Sequence, residues 1–390
     1  MSPVRSHFAR QAEACERLGS PFTARLCRIL PDLLDDGTAT GRRISSWPGD
    51  PRADALALRL CGGLHHIVLS HADDGLAAVY PPAAPDDAAL SAALKSAIGR
   101  NDERLSRFIA GAPQTNEVAR SGMLLPGFLT VARETGMPLA IHEIGASAGL
   151  NLLFDRFHYS YGAAQWGDAA SPAKLAPEVR GAAPPLSGEL VVAARDGCDV
   201  APVDVCDPAA RLRLRSYLWP DQPLRMERQR GALQIAQAER PRLEAMDAAR
   251  FLRTRLDERK TGEAFVLFHS IMWQYMPSAS QDEIERTLGE AGRTADGSSP
   301  VAWLRMEPLD TRDPHATLSL TLWPGGETRR LARCDYHGRW IEWIGLAGQR
   351  ECPRRPHARV GHRMRGRLGR WSLHPFGEAP GFRCCLESRP

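Results

Sequence analysis

The chain has 390 residues, 43% hydrophobic and 25% charged, which is the make-up of an ordinary soluble globular protein with room for two domains. Its net charge of +4 hides an asymmetry: residues 351–390 hold nine Arg against three Glu, so the first 350 residues carry a small negative excess. That body gives no electrostatic case for a nucleic-acid partner, and no apolar run approaches the roughly 18–20 residues of a membrane span.

The first residues, MSPVRSHFARQAEACERLG, lack the apolar core of a secretory signal, so a cytoplasmic location is expected. The nine Cys show no C-x-x-C pair and are expected to be reduced thiols. No metal constellation is expected. The basic residues are almost all Arg, with Lys only at Lys95, Lys174 and Lys260. That bias fits a GC-rich coding sequence and lowers the weight of Arg clusters.

Residues 1–135 read as an all-helical cap domain. Helices are expected from Phe8, over Pro21–Leu34 with Pro31 kinking or ending it early, over Asp54–Ser70, over Ala84–Phe108 and over 117–135. From Pro138 the pattern changes to short apolar runs between helices. Strands are expected at 139–144, 189–194, 241–246, 264–269, 301–306 and 317–322, then, after the turn Pro324-Gly325-Gly326, at 329–336 and 339–343. Alternating strands and helices imply an α/β domain with a mostly parallel sheet over residues 136–350. The last strands add a C-terminal antiparallel hairpin, the ending used by Rossmann-like, methyltransferase-type folds. Residues 351–390, rich in Arg and Pro without periodicity, read as a disordered tail.

Residues 143–149 read Glu-Ile-Gly-Ala-Ser-Ala-Gly. A strand is expected to end near Glu143, the chain to turn at Gly145, and a helix to start near Leu150 with its free N–H groups facing the turn. The string resembles the acidic residue and glycine-rich turn of methyltransferases that use S-adenosylmethionine. It matches at Glu143, Gly145 and Gly149, with Ser147 in the place of the middle glycine. It is also literally G-x-S-x-G, the nucleophile elbow of serine hydrolases, which would make Ser147 a nucleophile with His337 and Asp310 or Asp335 as partners. No His-Gly-Gly-Gly segment precedes it. A third reading is a tight junction without chemistry.

The chain as a whole resembles an uncharacterised bacterial family, the domain of unknown function 2332. The resemblance runs from about Phe8 to Trp343. It rests on Gln114-Thr115-Asn116-Glu117, the turn at Glu143–Leu152, Gly197-Cys198-Asp199 and Leu218-Trp219-Pro220-Asp221-Gln222. His269-Ser270-Ile271-Met272-Trp273-Gln274-Tyr275, Trp303-Leu304-Arg305-Met306-Glu307 and His337-Gly338-Arg339-Trp340 complete it. It implies no known activity.

The methyltransferase resemblance selects further residues. Asp199 is the first choice for holding a ribose, with Asp221 its rival. Asp199 lies 56 residues after Glu143, so an insertion over Tyr159–Pro185 is expected. Asp247, after the third strand, would meet the adenine. Either role competes with simple helix capping. His269, at the end of the fourth strand, is the candidate general base, and Glu307 and the 114–117 string are candidate lining. The expectation is therefore an S-adenosylmethionine-dependent enzyme acting on a small molecule.

Overall fold

The computed structural model describes residues 2–310 and 312–345. The Arg/Pro-rich segment 351–390 lies outside the described residues, as does the end of the 136–350 stretch. Twelve strands are described: β1 Leu139–Ile144, β2 His158–Tyr161, β3 Ala164–Trp166, β4 Lys174–Leu175, β5 Glu178–Arg180, β6 Val192–Asp199, β7 Arg242–Ala245, β8 Ala264–Ser270, β9 Val301–Glu307, β10 Ala316–Trp323, β11 Thr328–Cys334 and β12 Trp340–Trp343. Nine form one sheet in the order β5-β12-β11-β10-β9-β8-β1-β6-β7, and β3-β2-β4 form a small second sheet. Strands β7, β6, β1, β8 and β9 are parallel. Strands β10, β11 and β12 continue as an antiparallel meander, with β5 beside β12.

Strands β1 and β8 are buried along their whole length, as central parallel strands covered on both faces must be. Leu139, Ile141, Val266, Phe268, Leu304 and Met306 form one face, in a core shared with helix Ser121–Thr135. Ile144, Phe265, Leu267 and Trp303 form the other, with helices Ala248–Asp257 and Ser278–Arg293. The result is a mixed α/β molecule with a mostly parallel sheet, an antiparallel C-terminal part and N-terminal helices.

Seven helices between Pro3 and Ala110 enclose a separate core that includes Phe8, Leu26, Leu30, Leu60 and Ile109. Trp219 from the later part of the chain joins this core. Asp221 reaches the same helices, accepting from Ser20 Oγ (2.5 Å) and Phe22 N (2.8 Å). Helix Ser121–Thr135 packs on the sheet and not among these seven.

Several elements differ from expectation. The stretch 84–108 is two helices, Asp87–Arg100 and Asp102–Ala110, because the Asp102 carboxylate turns away to bind Ala39 N and Thr40 N of another helix. Pro31 lies inside the last turn of a helix that runs on to Leu33. Strand β6 begins at Val192 and reaches Asp199, later than the apolar run at 189–194. Its polar residues hold it: Arg195 pairs with Asp155, and Asp196 with His142 and Arg255. The helix expected after Gly149 is a 3₁₀ segment, Leu150–Arg156. Leu150 to Phe154 are all buried, so they lack the single apolar stripe that a longer helix lays on a sheet. The antiparallel end is a three-strand meander, larger than a hairpin.

The turn from β11 to β12 leans on the segment before helix Ser121–Thr135. Gly338 has φ +71°, and a Cβ there would lie 2.4 Å from the Ala119 main chain. Gly338→Ala is therefore expected to lower unfolding free energy by about 1–3 kcal/mol, read from denaturant melts.

Candidate functional site

The turn after β1 is held by the end of β6. Gly145, Ser147 and Gly149 all lie in the left-handed region, at φ +67°, +53° and +68°. Ser147 is the strained one, since its Cβ disfavours that conformation. Its N–H donates to Asp199 Oδ2 at 2.9 Å, and its carbonyl accepts from Val203 N at 2.9 Å. Asp199 Oδ1 accepts from Ala201 N at 3.0 Å. Over Gly145 lies Met272, whose Cγ would be 2.9 Å from a Cβ at that position.

Glu143 precedes this turn on the same face of β1 as Leu139 and Ile141. It is 2% exposed, and its Oε2 is buried without a hydrogen-bond partner. Burial, and then the Asp199 carboxylate, push the Glu143 carboxyl well above the usual carboxylate range, against the pull of Arg120 and a hydrogen bond with Asn151. Ser147 Oγ is likewise buried and unpartnered, so no histidine is hydrogen-bonded to it. Asp310 pairs with Arg312 at the surface. Asp335 binds Arg339 and the main-chain N–H of His337, not its ring. The three residues of a hydrolase triad are thus not joined.

The other acids chosen from sequence differ in place: Asp221 lies at the helical core, while Asp247 follows Met246, whose N–H donates to Asp199 O at 3.1 Å. Asp199 lies beside Glu143 and Ser147. Asp221 is committed to Ser20 and Phe22 at the start of helix Pro21–Leu33. Asp247 caps helix Ala248–Asp257 through Ala249 N and Arg250 N.

His269 has a different place from the one expected of a general base. Phe268 pairs with Glu143 in register, so His269 projects from the opposite face of the sheet. It is fully buried, with Nδ1 on Glu307 Oε1 (2.8 Å) and Nε2 accepting from Trp303 Nε1 (3.1 Å). Trp273 stacks on its ring at 5.1 Å. Glu307 Oε1 also accepts from Met272 N at 3.0 Å, so His269 and Glu307 together hold the loop that carries Met272 over Gly145.

A charged cluster adjoins the turn. Asn116 Oδ1 accepts from Leu150 N (2.8 Å), and Gln114 Nε2 donates to Ala201 O (2.5 Å). The next residue, Glu117, is 3% exposed and pairs with Arg225 Nε at 2.5 Å. Arg120 donates to Ser270 O (3.1 Å) and Tyr336 O (3.0 Å). Burial, and then Arg225, press His337 down to about 4. Of this cluster, the sequence points to the 114–117 string and His337, but not to Arg120 or Arg225. A signal for Arg225 lies in its place on a helix opening directly after Trp219-Pro220-Asp221-Gln222, but the abundance of Arg throughout the chain hides it. Among the described residues no group of three or more His, Cys, Asp or Glu could hold a metal, and no helix is long and apolar enough to cross a membrane.

Two outcomes follow from these surroundings. His269→Ala leaves the Glu307 carboxylate and the Trp303 N–H without their buried partner, and is expected to cost about 2–4 kcal/mol of stability in denaturant melts. For Glu143, burial holds the folded-state value well above the ordinary 4.5 of a glutamate. Its proton is held more tightly in the folded chain, so stability is full below about pH 4.5 and falls as pH rises through the folded value. Glu143→Gln has no proton to lose. It is expected to melt higher than wild type at pH 8, with the gap closing toward pH 4; a gap independent of pH would contradict this assignment.

No curated protein and no solved structure matches the chain. A family model does, over residues 5–343: it is described as an uncharacterized protein conserved in bacteria, DUF2332. With nearly all of the described strands and helices inside that match, the chain belongs to this family.

Proposed function

We propose that this chain is an S-adenosylmethionine-dependent methyltransferase acting on a small molecule, and that its sheet is Rossmann-like. The observation that carries the reading is the meeting of Glu143, Ser147 and Asp199 at one turn. That turn ends β1, where the strand order reverses between β1 and β8, and open α/β sheets take their ligands outside the carboxyl ends of the strands at such a point.

The residues fit the cofactor. Glu143 Oε2 and Ser147 Oγ are buried polar atoms without a partner, which an ammonium and a carboxylate at the methionine end would satisfy. The ammonium would also return Glu143 to its ionised form. Each oxygen of Asp199 keeps a lone pair for a ribose hydroxyl beyond its bond to Ser147 N or Ala201 N. When bound, S-adenosylmethionine supplies an electrophilic methyl group. Met272 must swing off Gly145 for the cofactor to approach the main chain, and its unbranched side chain makes that movement cheap. His269, with both ring nitrogens engaged, positions the Met272 loop in this reading and moves no proton from the acceptor.

Isothermal titration with S-adenosylmethionine and S-adenosylhomocysteine tests the reading. Saturable heat from at least one is expected, and folded protein giving none with either overturns it. Ser147→Gly is expected to weaken that binding by up to about tenfold through loss of the Oγ contact, and to gain about 1 kcal/mol of stability by relieving the left-handed strain. A fluorophosphonate that labels wild type but not Ser147→Ala would instead favour a hydrolase.

A further inference from the structure

A cavity of about 310 Å³ opens beside the cluster, between the start of helix Pro223–Glu239 and the β11–β12 turn. Trp219, Asp221, Arg225, Arg228, His337 and Arg339 line it. Its volume suits a small ligand. Its charges pair off, with one left over. Arg225 is taken by Glu117 at 2.5 Å and Arg339 by Asp335 at 2.7 Å. Asp221 is occupied by Ser20 and Phe22. Arg228 is half-buried and forms no ion pair among the described residues; its Nε is buried without a hydrogen bond, and Glu117, the carboxylate that acts on it, is already paired with Arg225. Two guanidinium groups sharing one carboxylate leave a positive surplus in a partly desolvated space, which an anion from outside the chain would offset. Trp219, over which Arg225 lies at 5.6 Å, and Leu18 supply apolar walls next to that cation.

We infer that this cavity binds the oxyanion group, carboxylate or phosphate, of a small molecule, with Arg228 as its principal contact. The 114–117 segment ties the cavity to the turn: Asn116 holds Leu150 N, and Glu117, the next residue, holds Arg225. Calling the bound molecule the methyl acceptor rests on the function proposed above; the binding of an oxyanion there does not.

The experiment is titration of the full chain, without S-adenosylmethionine, by inorganic phosphate and separately by benzoate, followed by calorimetry and thermal shift. Saturable binding of at least one probe in the millimolar range is expected, and the arm that binds tells phosphate from carboxylate. Arg228→Met should lower that affinity about tenfold or more, as loss of a charge-assisted contact does. Without probe it should melt no lower than wild type, since it removes a half-buried charge that has no ion pair of its own. Arg312→Gln, at the surface, serves as the unchanged control. The inference is overturned if neither probe binds wild type up to tens of millimolar, or if Arg228→Met binds as wild type does. Neither result touches the cofactor titration, so the two readings fail separately.

Discussion

The structure depends on the burial of β1 between β6 and β8. Its side chains alternate between two closed cores, so every polar group on it must be satisfied inside the protein. His142 meets this demand on the face of helix Ala248–Asp257, where Asp196 binds it and Arg255 binds Asp196 at 3.1 Å. Glu143, one residue on and therefore on the other face, does not. One of its oxygens is left bare, beside a serine hydroxyl in the same condition. Buried polar atoms without a hydrogen-bond partner occur on both sides of the sheet, Arg255 Nε and Glu307 Oε2 on one and Glu143 Oε2 and Ser147 Oγ on the other, but only the latter pair meets at the turn after β1.

The strain at Ser147 belongs to the same arrangement. A non-glycine residue at φ +53° persists because its neighbours over-determine it. The Asp199 carboxylate holds its N–H, Val203 holds its carbonyl, and β6 holds Asp199. The two central strands that set the register therefore also set the turn. Across the sheet, Glu307 and His269 fix the loop whose Met272 covers Gly145. His269 acts on the turn at one remove: its imidazole holds Glu307, and Glu307 holds the main-chain N–H of Met272.

The helical cap contributes through the junction. Trp219 is buried in the helical core, and Asp221 caps the second helix of that core. The chain then enters helix Pro223–Glu239, which carries Arg225 and Arg228 into the space below. Asp221, considered from sequence as a ribose contact, is a clamp between the two parts of the molecule. The positive surplus at Arg228 remains because the carboxylates nearby serve other arginines: Glu117, distant in sequence, pairs with Arg225, and Asp335, four positions away, pairs with Arg339.

The sequence by itself determined what local periodicity and backbone chemistry determine. The helical character of the N-terminal third, the change to strands at Pro138, the turn at Gly145–Gly149 and the antiparallel end were all legible in it. So was the family, through long uncommon strings such as those at 114–117 and 218–222. Where it erred, a distant partner had overruled the local pattern. Asp102 broke a helix to cap another, ion pairs drew β6 onto Arg195 and Asp196, and burial on every side shortened the expected helix at Leu150. The site was legible only in part, at Glu143, Ser147 and Asp199. Only the tertiary structure decided that Asp199 joins the turn while Asp221 is drawn to the helical core, and that His269 faces away from Glu143. Only it left Arg228 without an ion pair of its own among the described residues. Those outcomes depend on which face a side chain takes and which charge arrives opposite it, and both are set by strand register and long-range packing.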